Sequence, residues 1–146
     1  MMLIQKASLC YGSTVADLAL QLWPDHRKEE LREEFEALLV RDDAAVFLAF
    51  EGDLPVGFAQ CQLRRDYVEG TESSPVGYLE GIYVVPAYRN CGTARRLLGA
   101  CESWAKENGC REFASDCELG NTGSLSFHLS VGFAEANRII CFAKKL

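Results

Sequence analysis

No Cys-x-x-Cys pair occurs in this chain, and it has only two histidines, His26 and His128. A clustered zinc site therefore has no ligand set to draw on, and no metal is expected. Basic residues are in deficit, with 15 Lys and Arg against 21 Asp and Glu and a net charge of −6. Nucleic acids want a basic face, so this balance argues against them as the main partner. It suits a cationic small ligand, although acidity for solubility alone explains it equally well. Long apolar runs are missing too. None nears the ~18 residues of a membrane span, and Met1-Met-Leu-Ile-Gln-Lys-Ala-Ser8 has no signal-peptide core. The expectation is a soluble protein without a membrane partner.

Cysteine itself is plentiful, with seven at 10, 61, 91, 101, 110, 117 and 141. Cys61, Cys101 and Cys141 fall within apolar-patterned segments and read as small hydrophobes. Free thiols at this density predict a reducing, cytoplasmic setting. The 146 residues make one domain, 1–146, able to bury roughly 70% of its unfolded surface.

Periodicity predicts a strand over Met2–Gln5 and a helix over Tyr11–Leu22, ended by Trp23-Pro24. A second helix, N-capped by Asp25, runs roughly from Arg27 to Val40 with its charges on the solvent side. Strands follow over Ala45–Glu51 and Val56–Arg64, then a long polar link from Arg65 to Pro75. Tyr78–Val85 is the next strand, and a helix from Gly92 to about Asn108 stops at Gly109. A strand over Arg111–Asp116, a helix over Asn121–Val131 and a final strand over Arg138–Lys144 complete the chain. The order β-α-α-β-β-β-α-β-α-β is a mixed α/β layer structure.

The most informative stretch joins the Tyr78–Val85 strand to its following helix through Arg89-Asn-Cys-Gly-Thr-Ala94. Arg-x-x-Gly-x-Ala places uncrowded backbone at a helix start, where unpaired N–H groups and the positive dipole end converge. Such a spot binds phosphate. A tight turn without a ligand is the competing reading of the loop alone.

The pattern resembles the pyrophosphate loop of the GNAT superfamily of acetyl-CoA-dependent N-acetyltransferases. Asn121, Ser124, Phe127 and Gly132-Phe133 resemble that family's late motif. Within it, Gln21-Leu-Trp-Pro24, Asp66-Tyr-Val-Glu-Gly70, Ser73-Ser-Pro75, Leu79-Glu-Gly-Ile82, Gly109-Cys-Arg-Glu112 and Ala114-Ser-Asp116 look like the aminoglycoside 6′-N-acetyltransferases. The resemblance implies a GNAT fold with a mixed central sheet of about six to seven strands and about four helices. It implies acetyl transfer to the 6′-amine of aminoglycoside antibiotics by direct attack in a ternary complex, hence resistance. It also implies a homodimer, with the Ile139-Ile-Cys-Phe142 end as either an interface strand or a core strand.

On this resemblance the acetyl-CoA pyrophosphate sits on the backbone of Arg89, Asn90, Cys91, Gly92, Thr93 and Ala94. Ile82, Tyr83 and Val84 present backbone to the pantetheine and thioester, because their strand splays from its neighbour. A backbone N–H near Val84 is the candidate oxyanion donor, and Asn121 contacts the cosubstrate's other side.

The acceptor must lose a proton before it attacks. Glu80 is a carboxylate inside an apolar strand, costly unless paired or facing a cleft. It either turns to solvent, pairs with one arginine, or attracts and deprotonates the amine; the last is the expected role. Asp116 would complete a two-carboxylate clamp, although alone it reads as a loop-entry residue. Trp23 and Tyr67 fit as walls for a sugar ring, with core packing as the plainer alternative.

Two departures from the family pattern stand out. His128 occupies the place of a tyrosine that protonates the departing thiolate, either doing that work or packing on its helix. Asn137 stands about where relatives place an acidic substrate contact. Another amine (a polyamine, a small metabolite or a protein N-terminus) remains the alternative acceptor, and a non-catalytic CoA-binding module the more distant one.

Overall fold

In the computed structural model, which describes residues 2–146, the alternating apolar segments pair into one mixed five-stranded sheet. β1 (Met2–Lys6), β2 (Ala44–Glu51), β3 (Leu54–Arg64) and β4 (Val76–Val84) are antiparallel neighbours. β5 (Phe113–Ser115) joins β4 in parallel, after the helical crossover that a parallel pair requires.

Both faces of the sheet are covered. α3 (Thr93–Glu107) buries Leu97, Leu98, Cys101, Trp104 and Ala105, a helical stripe, against Ala45, Ala59, Cys61 and Leu79. α1 (Gly12–Leu22) and α2 (Lys28–Leu39) pack Val15, Leu18, Leu31 and Phe35 on the other face, against Val46, Leu48 and Phe58. The period of two in β2 thus sends odd residues to α3 and even ones to α1 and α2. Truncating a side chain as buried as Leu97 or Phe58 costs about 2–5 kcal/mol. α4 (Thr122–Ser130) lies beyond β5 and buries no residue completely.

Two features of β3 and β4 shape the site. Gln60 pairs with Gly81 but Cys61 pairs with Leu79, so Glu80 is the extra residue of a β-bulge. β4 and β5 pair only from Gly77↔Phe113 to Leu79↔Ser115, while β4 runs on to Val84. Past Leu79 the two strands part.

Three expectations need correcting. Residues 138–144 form no strand; from 134 onward the chain is exposed and carries no helix or strand. The described sheet therefore has five strands, below the six to seven implied. β5 is shortened to three residues because only those lie within reach of β4. Asp25 does not cap α2, whose N-cap is Arg27 without a side-chain bond; a turn closed by His26 N–H to the Trp23 carbonyl takes up residues 23–26.

Candidate active site

The anion loop takes its shape from two residues with positive φ, Asn90 (63°) and Gly92 (85°), which fold the backbone back before α3 starts. Gly92 is the N-cap and no side chain caps the helix, so the first amides of α3 face outward and suit a phosphate. Thr93 is buried, its hydroxyl directed at the Tyr88 carbonyl (3.4 Å), and the Cys91 thiol donates to that same carbonyl (2.8 Å). These two side chains brace the turn, leaving its backbone for a ligand.

The same loop is tied to the end of β4. Arg89 Nε donates to the Val84 carbonyl at 2.7 Å, and its guanidinium lies 5.3 Å from the Tyr83 ring centroid. Val85 N–H donates to Val56 on β3 (2.8 Å). Strand alternation therefore turns the Val84 N–H to the opposite edge, toward the gap between β4 and β5. Ile82 and Val84 share that alternation; Tyr83 points its backbone to β3 and its hydroxyl to Gln21 Oε1 (2.9 Å).

On the α1 and α2 face of the sheet lies a cleft of about 290 Å³, walled by Trp23, His26, Leu31, Glu34, Gln60 and Glu80 among others. Trp23 rests directly on Gly81 and meets Phe58 edge-on at 6.1 Å. The bulge aims Glu80 into this cleft, and the carboxylate is held from behind. Arg64 gives it three contacts: Nε to Oε2 at 3.2 Å, and Nη2 to Oε1 and Oε2 at 2.9 and 3.0 Å. The guanidinium stacks 3.4 Å from the Tyr78 ring centroid, and the Tyr78 hydroxyl donates to Asp116. Burial, then the bond to Asp116 and its charge, push the Tyr78 phenol well above its ordinary range.

Expectation and structure meet unevenly across the remaining residues. Glu80 and Trp23 share the cleft; Asp116 reaches Glu80 only through Tyr78 and Arg64. Tyr67 stands 77% exposed on the Arg65–Pro75 link, outside the cleft wall. That link is pinned by Glu112, which accepts from the Glu72 N–H (2.8 Å) and the Ser73 hydroxyl, and these bonds hold the carboxyl below the usual range. Asn137 Nδ2 donates to Glu69 on the same link (3.0 Å).

Asn121 Oδ1 accepts from Ser124 N–H (3.0 Å) and so caps α4, leaving its amide NH2 for other partners. His128 lies where β4 and β5 part. Its Nδ1 donates to the Ser124 carbonyl (2.7 Å), and its Nε2 meets Ser115 Oγ at 2.8 Å. Arg64, Tyr78, Ser115 and Gln60 escaped the sequence reading. The signal for two of them was Gln60, Gln62 and Arg64 at alternate positions of an otherwise apolar strand. Among the described residues no group of three or more His, Cys, Asp or Glu could hold a metal ion.

Known proteins resemble this chain over nearly its whole length. The model of the acetyltransferase (GNAT) family matches residues 13–133. The aminoglycoside N(6′)-acetyltransferase type 1 of Stenotrophomonas maltophilia is 42% identical over 144 residues, 98% of this chain and 93% of its own. Its counterpart in Salmonella typhimurium is 41% identical over 128 residues, 88% of each chain. Among solved structures, AAC(6′)-Iy in complex with the bisubstrate analogue CoA-S-monomethyl-acetylneamine superposes with a TM-score of 0.96. It is 38% identical and covers 100% of this chain and 99% of its own. AAC(6′)-Ih from Acinetobacter baumannii gives 0.94 at 37% identity, covering 100% and 99%.

Proposed function

This chain belongs to the GNAT acetyltransferase family, and from that premise we propose that it acetylates the 6′-amine of aminoglycoside antibiotics with acetyl-CoA, conferring resistance. The observation that carries the reading is Glu80, lifted by a bulge into a cleft beside the point where β4 and β5 part. An acidic cleft draws in an aminosugar cation; the α3 loop offers phosphate-binding amides to acetyl-CoA.

The reaction is direct attack within a ternary complex. Pyrophosphate rests on the backbone of residues 89–94, and the thioester lies along Ile82, Tyr83 and Val84. Glu80 attracts the ammonium and accepts one of its protons, directly or through water. The freed amine attacks the thioester carbonyl carbon, and the charge developing on oxygen is met by the Val84 N–H. The C–S bond breaks, the nitrogen gives up its second proton to water as the amide forms, and CoA leaves as the thiolate. Neutral His128 carries its hydrogen on Nδ1, because the Ser124 carbonyl there can only accept. A proton from water reaches the thiolate by way of His128 Nε2 and the Ser115 hydroxyl bonded to it.

Trp23 provides the sugar wall; Asp116, bonded to Tyr78, and Tyr67 and Asn137, at the Arg65–Pro75 link, serve as outer contacts for the acceptor although none of the three lines the cleft. Asn121 borders acetyl-CoA with its free amide. The protein works as a cytoplasmic homodimer. All seven cysteines are free thiols, in keeping with a reducing compartment, and no helix among the described residues is long and apolar enough to cross a membrane. Exposed Ile139 (67%), Ile140 (81%) and Phe142 (90%) support an interface at the C-terminal end.

The test is CoA release by purified protein given acetyl-CoA with tobramycin, spermidine or an N-terminal peptide, in wild type and Glu80→Gln. Turnover with tobramycin that Glu80→Gln weakens is expected. Turnover with spermidine or peptide alone would discard the aminoglycoside reading and keep the acetyltransferase.

A further inference from the structure

Four side chains form one continuous array: Asp116 just past β5, Tyr78 and Glu80 on β4, and Arg64 on β3. Two features set Arg64 apart from a surface ion-pair partner. It makes three contacts to one carboxylate, and it is stacked face-on against an aromatic ring that is itself anchored. Glu80 lines the cleft but Arg64 does not, so the guanidinium grips the carboxylate from outside. A carboxylate has about four lone-pair sites, and a guanidinium fork leaves some of them open. The open ones remain for a ligand in the cleft that Glu80 lines.

Resting on the reading of Glu80 as the group that receives the amine, we propose that Arg64 and Tyr78 are positioning residues of the acceptor site. Together they fix the direction of Glu80 and its placement relative to Asp116. They also set the charge of the array. Two carboxylates and one guanidinium leave a single net negative charge, matched to one ammonium. Without Arg64, two unneutralised carboxylates would hold a polycation more tightly and in more orientations, few of them productive. His26 and Glu34, on the α1–α2 side of the cleft, are the other ionisable groups facing Glu80.

The experiment compares wild type, Arg64→Met, Arg64→Lys, Tyr78→Phe and Glu80→Gln by their steady-state kinetics with acetyl-CoA and tobramycin. Arg64→Met should lower kcat ~10–100-fold, the scale of a misplaced reacting group. The KM for tobramycin should stay level or fall, so that the loss falls on kcat rather than on binding. Arg64→Lys keeps the charge without the fork, so kcat should recover only in part. Tyr78→Phe keeps the stack and loses the tie to Asp116, so a smaller fall in kcat is expected. Added to Glu80→Gln, Arg64→Met should cost little more, because both act through one group.

Wild-type kcat in Arg64→Met would overturn the proposal, as would equal losses from Arg64→Met in both backgrounds. Should Arg64→Met fail to fold, an unmoved kcat in both Arg64→Lys and Tyr78→Phe would overturn it instead. An active Glu80→Gln would sink the acceptor-site reading itself; an inactive one beside an unaffected Arg64→Met would sink only this inference.

Discussion

The Trp23 ring lies so close to Gly81 that a Cβ there would stand 2.7 Å from one ring carbon and 2.9 Å from another. Gly81 sits beside the Glu80 bulge, and Trp23 walls the cleft into which Glu80 points. The missing side chain on β4 is thus what lets the indole lie against the strand.

Gly81→Ala should push the indole outward and disturb the acceptor site without touching the anion loop. The expected result is a several-fold rise in KM for tobramycin, an unchanged KM for acetyl-CoA and a shift in tryptophan emission. The overpacking cost is about 1–3 kcal/mol, visible in Tm. Unaltered tobramycin kinetics would show that the ring position does not matter.

Glu80→Gln keeps shape and loses the charge. General-base catalysis is worth ~10²–10⁴-fold, so kcat with tobramycin should drop by at least the lower figure. Acetyl-CoA binding, measured by calorimetry, should be untouched.

Gly92 holds φ at 85°, which a residue with a Cβ adopts at a cost of roughly 1–2 kcal/mol. Gly92→Val should therefore distort the α3 amides and raise the KM for acetyl-CoA ~10-fold, with tobramycin binding spared. Equal damage to both substrates would place the effect elsewhere than the phosphate turn.

Tyr78 makes stability depend on alkaline pH. Its phenol ordinarily loses its proton near pH 10, but burial and Asp116 keep it protonated in the fold. Below about pH 10 the contribution is complete. Above it the unfolded chain binds fewer protons than the folded one, so stability falls as pH rises. Tyr78→Phe should flatten the decline of Tm above about pH 10. Parallel curves for the two proteins would remove Tyr78 as the cause.

The exposed end can be tested by oligomeric state. Light scattering of wild type should give a dimer mass, and Ile140→Asp with Phe142→Asp should give a monomer. A monomeric wild type would refute the interface.

Much of the molecule was legible from local chemistry. The stripe Leu97, Leu98, Cys101, Trp104 announces α3, Gly109 ends it, and Gly92 with its neighbours announces the phosphate turn, because periodicity and φ are properties of a few adjacent residues. Glu80 was also visible, as a charge inside an apolar run. Its arginine was foreseen as a type of partner but not as Arg64, because 16 positions separate them and a bulge sets the register. Tyr67 was placed beside Trp23 by resemblance, yet a loop residue's position depends on what pins the loop, here Glu112 and Asn137; Asp116 is held by Tyr78, from the neighbouring strand.

The alternation in Arg138–Lys144 shows most plainly where local signals stop. A strand exists only where another backbone meets its hydrogen-bonding groups, and in this single chain none does. Helices and tight turns close their bonds among near neighbours, so residue order is enough to specify them. Sheet edges, bulges and the Arg64–Glu80 array close across distant segments and come into being only when the whole chain packs.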